Sequence, residues 1–193
     1  MITILDTETT GLNPREHEII EFAAISFEEK NDGSYEIVNK TKFKIKPQHI
    51  EKAQPTALEI NGYEEKKWSK AKLFIEHTEK IKEIIESSDM LLGQNLIFDI
   101  RFIISEFKRC GLEPPKFPEY IDTKDMAGVL VKEGKIKRAS MDFLCEHFQI
   151  KVSGRAHTAL VDCERTFLVW QKLLKFTDNK IFTYENPYDP YKS

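Results

Sequence analysis

"ITILDTETTGLNP", residues 2–14, sets two acids two positions apart inside an apolar, β-branched run. Ile2, Ile4, Asp6 and Glu8 alternate with Thr3, Leu5 and Thr7, the period-two pattern of a strand. Side chains at i and i+2 project from one face about 7 Å apart, so Asp6 and Glu8 look into one space. Two unpaired carboxylates in a partly buried site repel each other and are costly to desolvate, and one is driven toward neutrality unless a cation holds both. A hard divalent ion such as Mg²⁺ prefers oxygen ligands and needs only one or two carboxylates beside water and phosphate. An isolated Asp-x-Glu also reads as a pair of ordinary surface acids at a strand end.

Outward from this strand, "EIIEFAAISFEE" (18–29) and "YEIVNKTKFKIK" (35–46) flank the turn-forming "KNDGS" and predict an antiparallel hairpin. The rhythm then changes. "AKLFIEHTEKIKEIIESS" (71–88) has helical spacing, "DMLLGQN" (89–95) predicts a short buried strand, and "IFDIRFIISEFKRCG" (97–111) predicts an amphipathic helix stopped at Gly111 and Pro114. "EYIDT" (119–123) reads as a strand, and "SMDFLCEHF" (140–148) and "HTALVDCERTFLVWQKLLKF" (157–176) as helices. A hairpin followed by alternating strand and helix indicates an α/β domain, a mixed sheet of about five strands flanked by helices.

The 193 residues, 40% of them hydrophobic, suit one domain over 1–176, followed by a tail over 177–193 whose texture changes at "TDNKIFTYENPYDPYKS". No apolar run approaches the ~18 residues of a membrane span, and Asp6 and Glu8 interrupt any signal-like segment, so the expectation is a soluble, cytoplasmic protein. Cys110, Cys145 and Cys163 lack disulfide or zinc spacing and suit a reducing compartment. The net charge of −3 carries no global sign of nucleic-acid binding, so any such binding must be local.

Further acids stand where acids are unexpected. Asp162 lies beside Cys163 within the apolar stripe Ala159, Cys163, Phe167, Trp170 and Leu174, and Asp99 lies between Phe98 and Ile100 at a helix start. His157 precedes Asp162 by five residues, about 140° away on one continuous helix, which predicts that it sits in the loop or first turn after Gly154, leaning over the acids.

At these residues the chain resembles the DEDDh branch of the DnaQ-like 3′→5′ exonucleases, the family of polymerase proofreading subunits and several RNA-trimming enzymes. "LDTETTGL" is similar to the family's Asp-x-Glu-Thr-Thr-Gly motif, "GQNLIFDIRFI" to Asn-x-x-Phe-Asp, and "RAHTALVDCERT" to His-x-Ala-x-x-Asp. The resemblance implies a ribonuclease H-like fold and two Mg²⁺ or Mn²⁺ ions held by Asp6, Glu8, Asp99 and Asp162, with His157 as general base. It implies release of nucleoside 5′-monophosphates from the 3′ end of single-stranded DNA, with RNA as the alternative, and a DNA polymerase as a candidate partner. It also implies that Thr9, Thr10 and Leu12 cradle the terminal nucleotide and that Asn95 and Phe98 form the pocket floor.

Other features divide between readings. Gly11 would permit the tight turn after strand one, leaving the Thr9–Thr10 amides toward substrate. Leu12 and Phe98 also read as core, and Asp122 and Thr123 as either a site carboxylate or a helix cap. Lys40, Lys42, Lys44 and Lys46 read as a phosphate track or as protection of a sheet edge, and "KEGKIKRAS" (132–140) as a backbone contact or a solvated connection. His17, His49, His77 and His147 read as structural or exposed, and Tyr184, Tyr188 and Tyr191 as partner-docking or terminal. A nucleic-acid-binding or polymerase-associated module with secondary or lost catalysis is the alternative to the enzyme.

Overall fold

The computed structural model describes residues 1–177 and 183–184. The chain runs β1 (Ile2–Thr9), β2 (Ile19–Glu29) and β3 (Tyr35–Lys44), then the short helices α1 (Pro55–Asn61) and α2 (Glu65–Trp68) and the longer α3 (Thr78–Glu86). β4 (Met90–Gly93), α4 (Leu96–Arg109), β5 (Tyr120–Asp122), α5 (Thr123–Lys132), α6 (Met141–His147), α7 (Ala159–Phe176) and β6 (Thr183–Tyr184) follow. Among the described residues the strands form one mixed sheet in the order β3-β2-β1-β4-β5-β6. β1, β4 and β5 are mutually parallel, and the β2–β3 hairpin and β6 run antiparallel to their neighbours. The expected mixed sheet is present with one strand more than about five, because Thr183 and Tyr184 pair with Ile121 and Tyr120. Tyr188 and Tyr191 lie outside the described residues.

Helices cover both faces, which is why β2 is buried along Ile19–Phe27 and reads as an almost continuous apolar run. On one face Ile4, Ile25 and Leu92 pack against Ala127, Leu144, Cys163 and Trp170 of α5, α6 and α7. On the other, Leu5, Phe22 and Leu91 meet Ile81, Ile85, Ile100 and Phe107 of α3 and α4. Phe27 lies 4.9 Å from the Phe167 ring and 5.1 Å from Trp170, edge and tilted contacts of a kind that adds about 1 kcal/mol each beyond burial. These contacts fix α7 against the sheet and thereby fix its first turn. No helix among the described residues is long and apolar enough to cross a membrane.

Three helices escape the periodicity. α1 and α2 are short and half polar, and tertiary bonds hold all three: Gln54 N donates to Thr10 O at 2.8 Å, Trp68 Nε1 to Ile20 O at 2.9 Å, and Thr123 Oγ1 at the head of α5 to Gly93 O at 3.0 Å. The helix expected over 71–88 begins later, as a 3₁₀ turn over Phe74–His77 that leads into α3. Its first residues are extended instead, because Lys72 bridges Ile45 in parallel and its carbonyl accepts from Lys46 N at 2.8 Å.

Candidate active site

The carboxyl ends of β1 and β4 and the first turns of α4 and α7 meet at one place, the crevice where open α/β sheets bind ligands. β1 and β4 pair only from Ile2 to Ile4, so beyond that point the β4-facing edge of β1 is free. Asp99, in the first turn of α4, takes that edge: its Oδ1 accepts from Thr7 N at 2.8 Å and from Thr7 Oγ1 at 2.7 Å. α4 starts at Asn95, in left-handed backbone at φ 65°, and Asp122 at the end of β5 holds that start. Asp122 accepts from Asn95 N at 2.9 Å and Leu96 N at 2.8 Å, and also from Lys124 N at 2.9 Å at the head of α5. It caps two helices and is buried, and among the described residues its three bonds run to backbone amides.

Asp6 and Glu8 leave β1 on the α7 side of the sheet, the side of Ile4. Asp162 faces them from α7. The ligand atoms of Glu8, His157 and Asp162 lie within 4.8 Å of one another. His157 sits in the loop before α7 at φ 60°, a left-handed conformation uncommon for a side-chain-bearing residue, and its amide donates to Asp162 Oδ2 at 2.9 Å. Arg165 holds the other oxygen, with Nη1 2.8 Å from Asp162 Oδ1, and also contacts Asp142.

The charges of this cluster are poorly solvated. Burial, with repulsion from Asp162, Glu21 and Asp99 and a partly offsetting pull from Arg155, pushes the Glu8 carboxyl up to about 8. Burial pushes Asp99 up to about 7 even though the two bonds from Thr7 favour its ionised form. Asp6 is raised well above the ordinary carboxylate range, by burial first and then by Asp99, Glu8, Asp162 and Glu21. Among the described residues neither Asp6 nor Glu8 receives a protein hydrogen bond or salt bridge. Arg165 compensates Asp162, but no protein cation pairs with Asp6 or Glu8 among the described residues, and crowded carboxylate oxygens of this kind fit hard divalent ions.

Two surrounding loops are pinned. After β1, Arg109 Nη2 donates to Pro14 O and His17 O at 3.0 Å each, and Glu106 Oε1 accepts Ile19 N at 2.9 Å where β1 and β2 slip register. Gly11 serves close approach and not a left-handed turn, since a Cβ there would stand 2.5 Å from the His17 ring. Thr10 turns inward: its amide donates to Glu18 O at 2.8 Å and its hydroxyl accepts from Glu18 N at 2.9 Å, so that amide does not face a substrate. Thr9 Oγ1 likewise donates to Gly11 O at 2.7 Å. Leu12 is 73% exposed, so the core reading of it fails. Phe98 is half-buried, its ring 4.8 Å from Phe102, and Asn95 is exposed at the rim.

The second loop carries His157. Arg155 Nη2 donates to Glu59 O and Ile60 O at 3.1 Å each, at the carboxyl end of α1, where the last carbonyls lack i+4 amides and Glu59 O also takes the capping Gly62 N at 3.2 Å. α1 in turn holds the first loop, with Asn61 Nδ2 donating to Thr9 O at 2.8 Å. Gly62 leaves room for the guanidinium, because a Cβ there would stand 1.4 Å from Nη1. Neither Arg155 nor α1 was marked by the sequence patterns. The available signs of α1 are Pro55 at its first position and the Asn61-Gly62 pair at its end, which suit a helix start and stop.

Residues 3–170 match the family model described as exonuclease, RNase_T. The DNA polymerase III subunit epsilon of Rickettsia conorii is 33% identical over 183 residues, covering 89% of this chain and 72% of that protein. The DNA polymerase III PolC-type of Oceanobacillus iheyensis is 26% identical over 92% of this chain, which spans only 12% of that protein. Among solved structures, the nuclease domain of 3′hExo, a DEDDh family member, bound to rAMP, superposes with a TM-score of 0.77 at 19% identity, covering 96% of each chain. The fold of those nucleases, the carboxylate cluster and the match along nearly the whole described chain agree: this chain belongs to the exonuclease family, on its DnaQ-like 3′→5′ branch.

Proposed function

We propose that this 3′→5′ exonuclease acts on single-stranded DNA, removing nucleoside 5′-monophosphates at a site loaded with two Mg²⁺ or Mn²⁺ ions. The observation that carries the proposal is the convergence of Asp6, Glu8, Asp99 and Asp162, from three separate elements, with His157 beside Glu8 and Asp162. The four carboxylates would hold the ions. When bound, the ions neutralise the charge that develops on the phosphate and acidify water. His157 accepts the proton of the attacking water, a transfer suited to an imidazole near neutral pH and worth about 10²–10⁴-fold. A water oxygen bonds to phosphorus, the bond to the 3′ oxygen of the preceding nucleotide breaks, and that oxygen leaves with a proton. Thr7 keeps Asp99 aimed at the site, and exposed Leu12 offers an apolar surface to the terminal base.

The DNA polymerase III proteins among the relatives support DNA over RNA, and the subunit epsilon relative supports a DNA polymerase as partner. Three free cysteines support a reducing, cytoplasmic setting. The test is a metal-dependent digestion of 5′-labelled DNA and RNA strands. Shortening from the 3′ end, faster on DNA, is expected. Full-length strands after incubation with Mg²⁺ or Mn²⁺ would defeat the proposal and favour the non-catalytic module.

A further inference from the structure

We infer that a lysine-lined groove around the outer edge of the sheet holds the phosphodiester backbone of the substrate strand upstream of its 3′ end. This inference rests on the function proposed above and extends it to residues outside the carboxylate cluster.

Register places the groove. Across the sheet, Asp6 stands opposite Ala23 and Ala23 opposite Lys42, while Glu8 stands opposite Glu21 and Glu21 opposite Lys44. Lys42 and Lys44 therefore lie in the same cross-strand rows as the two acids, about 10 Å away at two strand spacings. They share the acids' face, since Lys40, two residues along, reaches Glu164 of α7 at 2.6 Å. A cleft of 380 Å³ joins Lys42, Lys44 and Lys67 to Arg155 and Thr158 of the His157 loop. A second depression shares Lys42, Phe43, Lys44 and Lys67 and carries the path on to Lys70 and Lys72.

Two of these cations have acidic partners. Lys44 pairs with Glu21 at 2.8 Å and sits 3.1 Å from the centre of the Trp68 ring, and Lys67 pairs with Glu64. Lys42, Lys70 and Lys72 have no acidic partner among the described residues. Edge protection accounts for lysines on β3, but it does not account for this arrangement. The Ile45–Lys72 bridge already covers the end of that edge, and Lys67, Lys70 and Lys72 extend the positive path from outside the sheet. In a chain of net charge −3, a continuous cationic track that starts beside a phosphodiester-cutting site is matched to a polyanion of regularly spaced phosphates.

The test combines Lys42→Gln, Lys70→Gln and Lys72→Gln in one variant, with Lys→Arg at the same positions as the charge-retaining control. Fluorescence anisotropy with 5′-fluorescein oligothymidylates of 3 and 20 nucleotides, in EDTA and over a salt series, reads binding without turnover. The Gln variant should lose about tenfold in affinity for the 20-mer at low salt. The salt slope should flatten by about 2, at ~0.7 per lost phosphate contact on single strands. The 3-mer should be little affected, and the Arg variant should bind as wild type. An unchanged slope and 20-mer affinity, or an equal loss on both lengths, would overturn the inference and leave the lysines to edge protection or an acidic protein partner. Hydrolysis of thymidine 5′-(p-nitrophenyl) phosphate with Mn²⁺ reports on the catalytic centre alone. Failure of the wild type there would sink the function proposed above, while the EDTA titration still decides the groove.

Discussion

Stripping divalent metal from this protein should make it more stable in acid than at neutral pH, the reverse of the usual behaviour of carboxylates paired with cations. Glu8 rises from 4.5 to about 8 and Asp99 from 3.8 to about 7, each by burial first. Between those limits the folded chain binds more protons than the unfolded chain, so stability is fully present below about pH 4 and is lost as pH climbs toward 8. Each proton so held is worth about 1.4 kcal/mol per pH unit. The acids titrate as a coupled set, and one full proton across this window amounts to on the order of 4 kcal/mol. For a chain of this size that is about 10 °C in Tm. The assay is thermal denaturation in EDTA from pH 5 to 8.5, repeated with Mn²⁺ in excess. A divalent ion at a hundred times its Kd should restore about 2.7 kcal/mol at pH 8 and far less at pH 5, where protons occupy its ligands. Asp99→Asn should flatten the EDTA profile and blunt the response to metal. A Tm in EDTA that is flat or rises with pH, or the same profile in Asp99→Asn, would refute the reasoning.

Other perturbations probe the supports. Gly62→Ala places a Cβ in left-handed backbone against Arg155, costing about 1–2 kcal/mol, and should lower kcat much as Arg155→Ala does, with the double variant no worse than either. Full additivity in steady-state kinetics would mean that the two residues do not share a role. His157→Gln should cut kcat about 10²–10⁴-fold with unaltered circular dichroism and little change in strand affinity, and a wild-type rate would remove His157 from proton transfer. Asp122→Ala removes three amide bonds to one buried carboxylate and should cost on the order of 3 kcal/mol in urea denaturation, and a loss under 1 kcal/mol would mean that water replaces the cap.

The sequence was most legible where periodicity and chemistry coincide. The strand holding Asp6 and Glu8 and the helix holding Asp162 carry patterns long enough to read, and each acid is conspicuous against its apolar neighbours. Asp122 could be read two ways because capping and metal ligation both ask for a carboxylate at a strand end, and only its three amide partners decide for the cap. The Arg155–α1 link was invisible because it joins residues about 95 positions apart through backbone carbonyls, which leave no imprint on the identities of Glu59 and Ile60. The engagement of the Thr10 amide is illegible for a related reason, since the hairpin-like closure with Glu18 that consumes it depends on a loop path and not on residue type. The late start of α3 follows from a backbone bridge to Ile45, again independent of side-chain pattern.

The even numbering of the two β1 acids ties chemistry to the thread of the chain. Along Ile2–Thr9, Asp6 and Glu8 point toward α7, and Leu5 and Thr7 the opposite way. Deleting one residue upstream of Asp6 while the rest of the strand kept its place would turn both carboxylates together into the apolar layer beneath α3 and α4. Damage of that kind would not be graded: the carboxylate cluster would be dismantled in a single step by a lesion that removes none of its own residues.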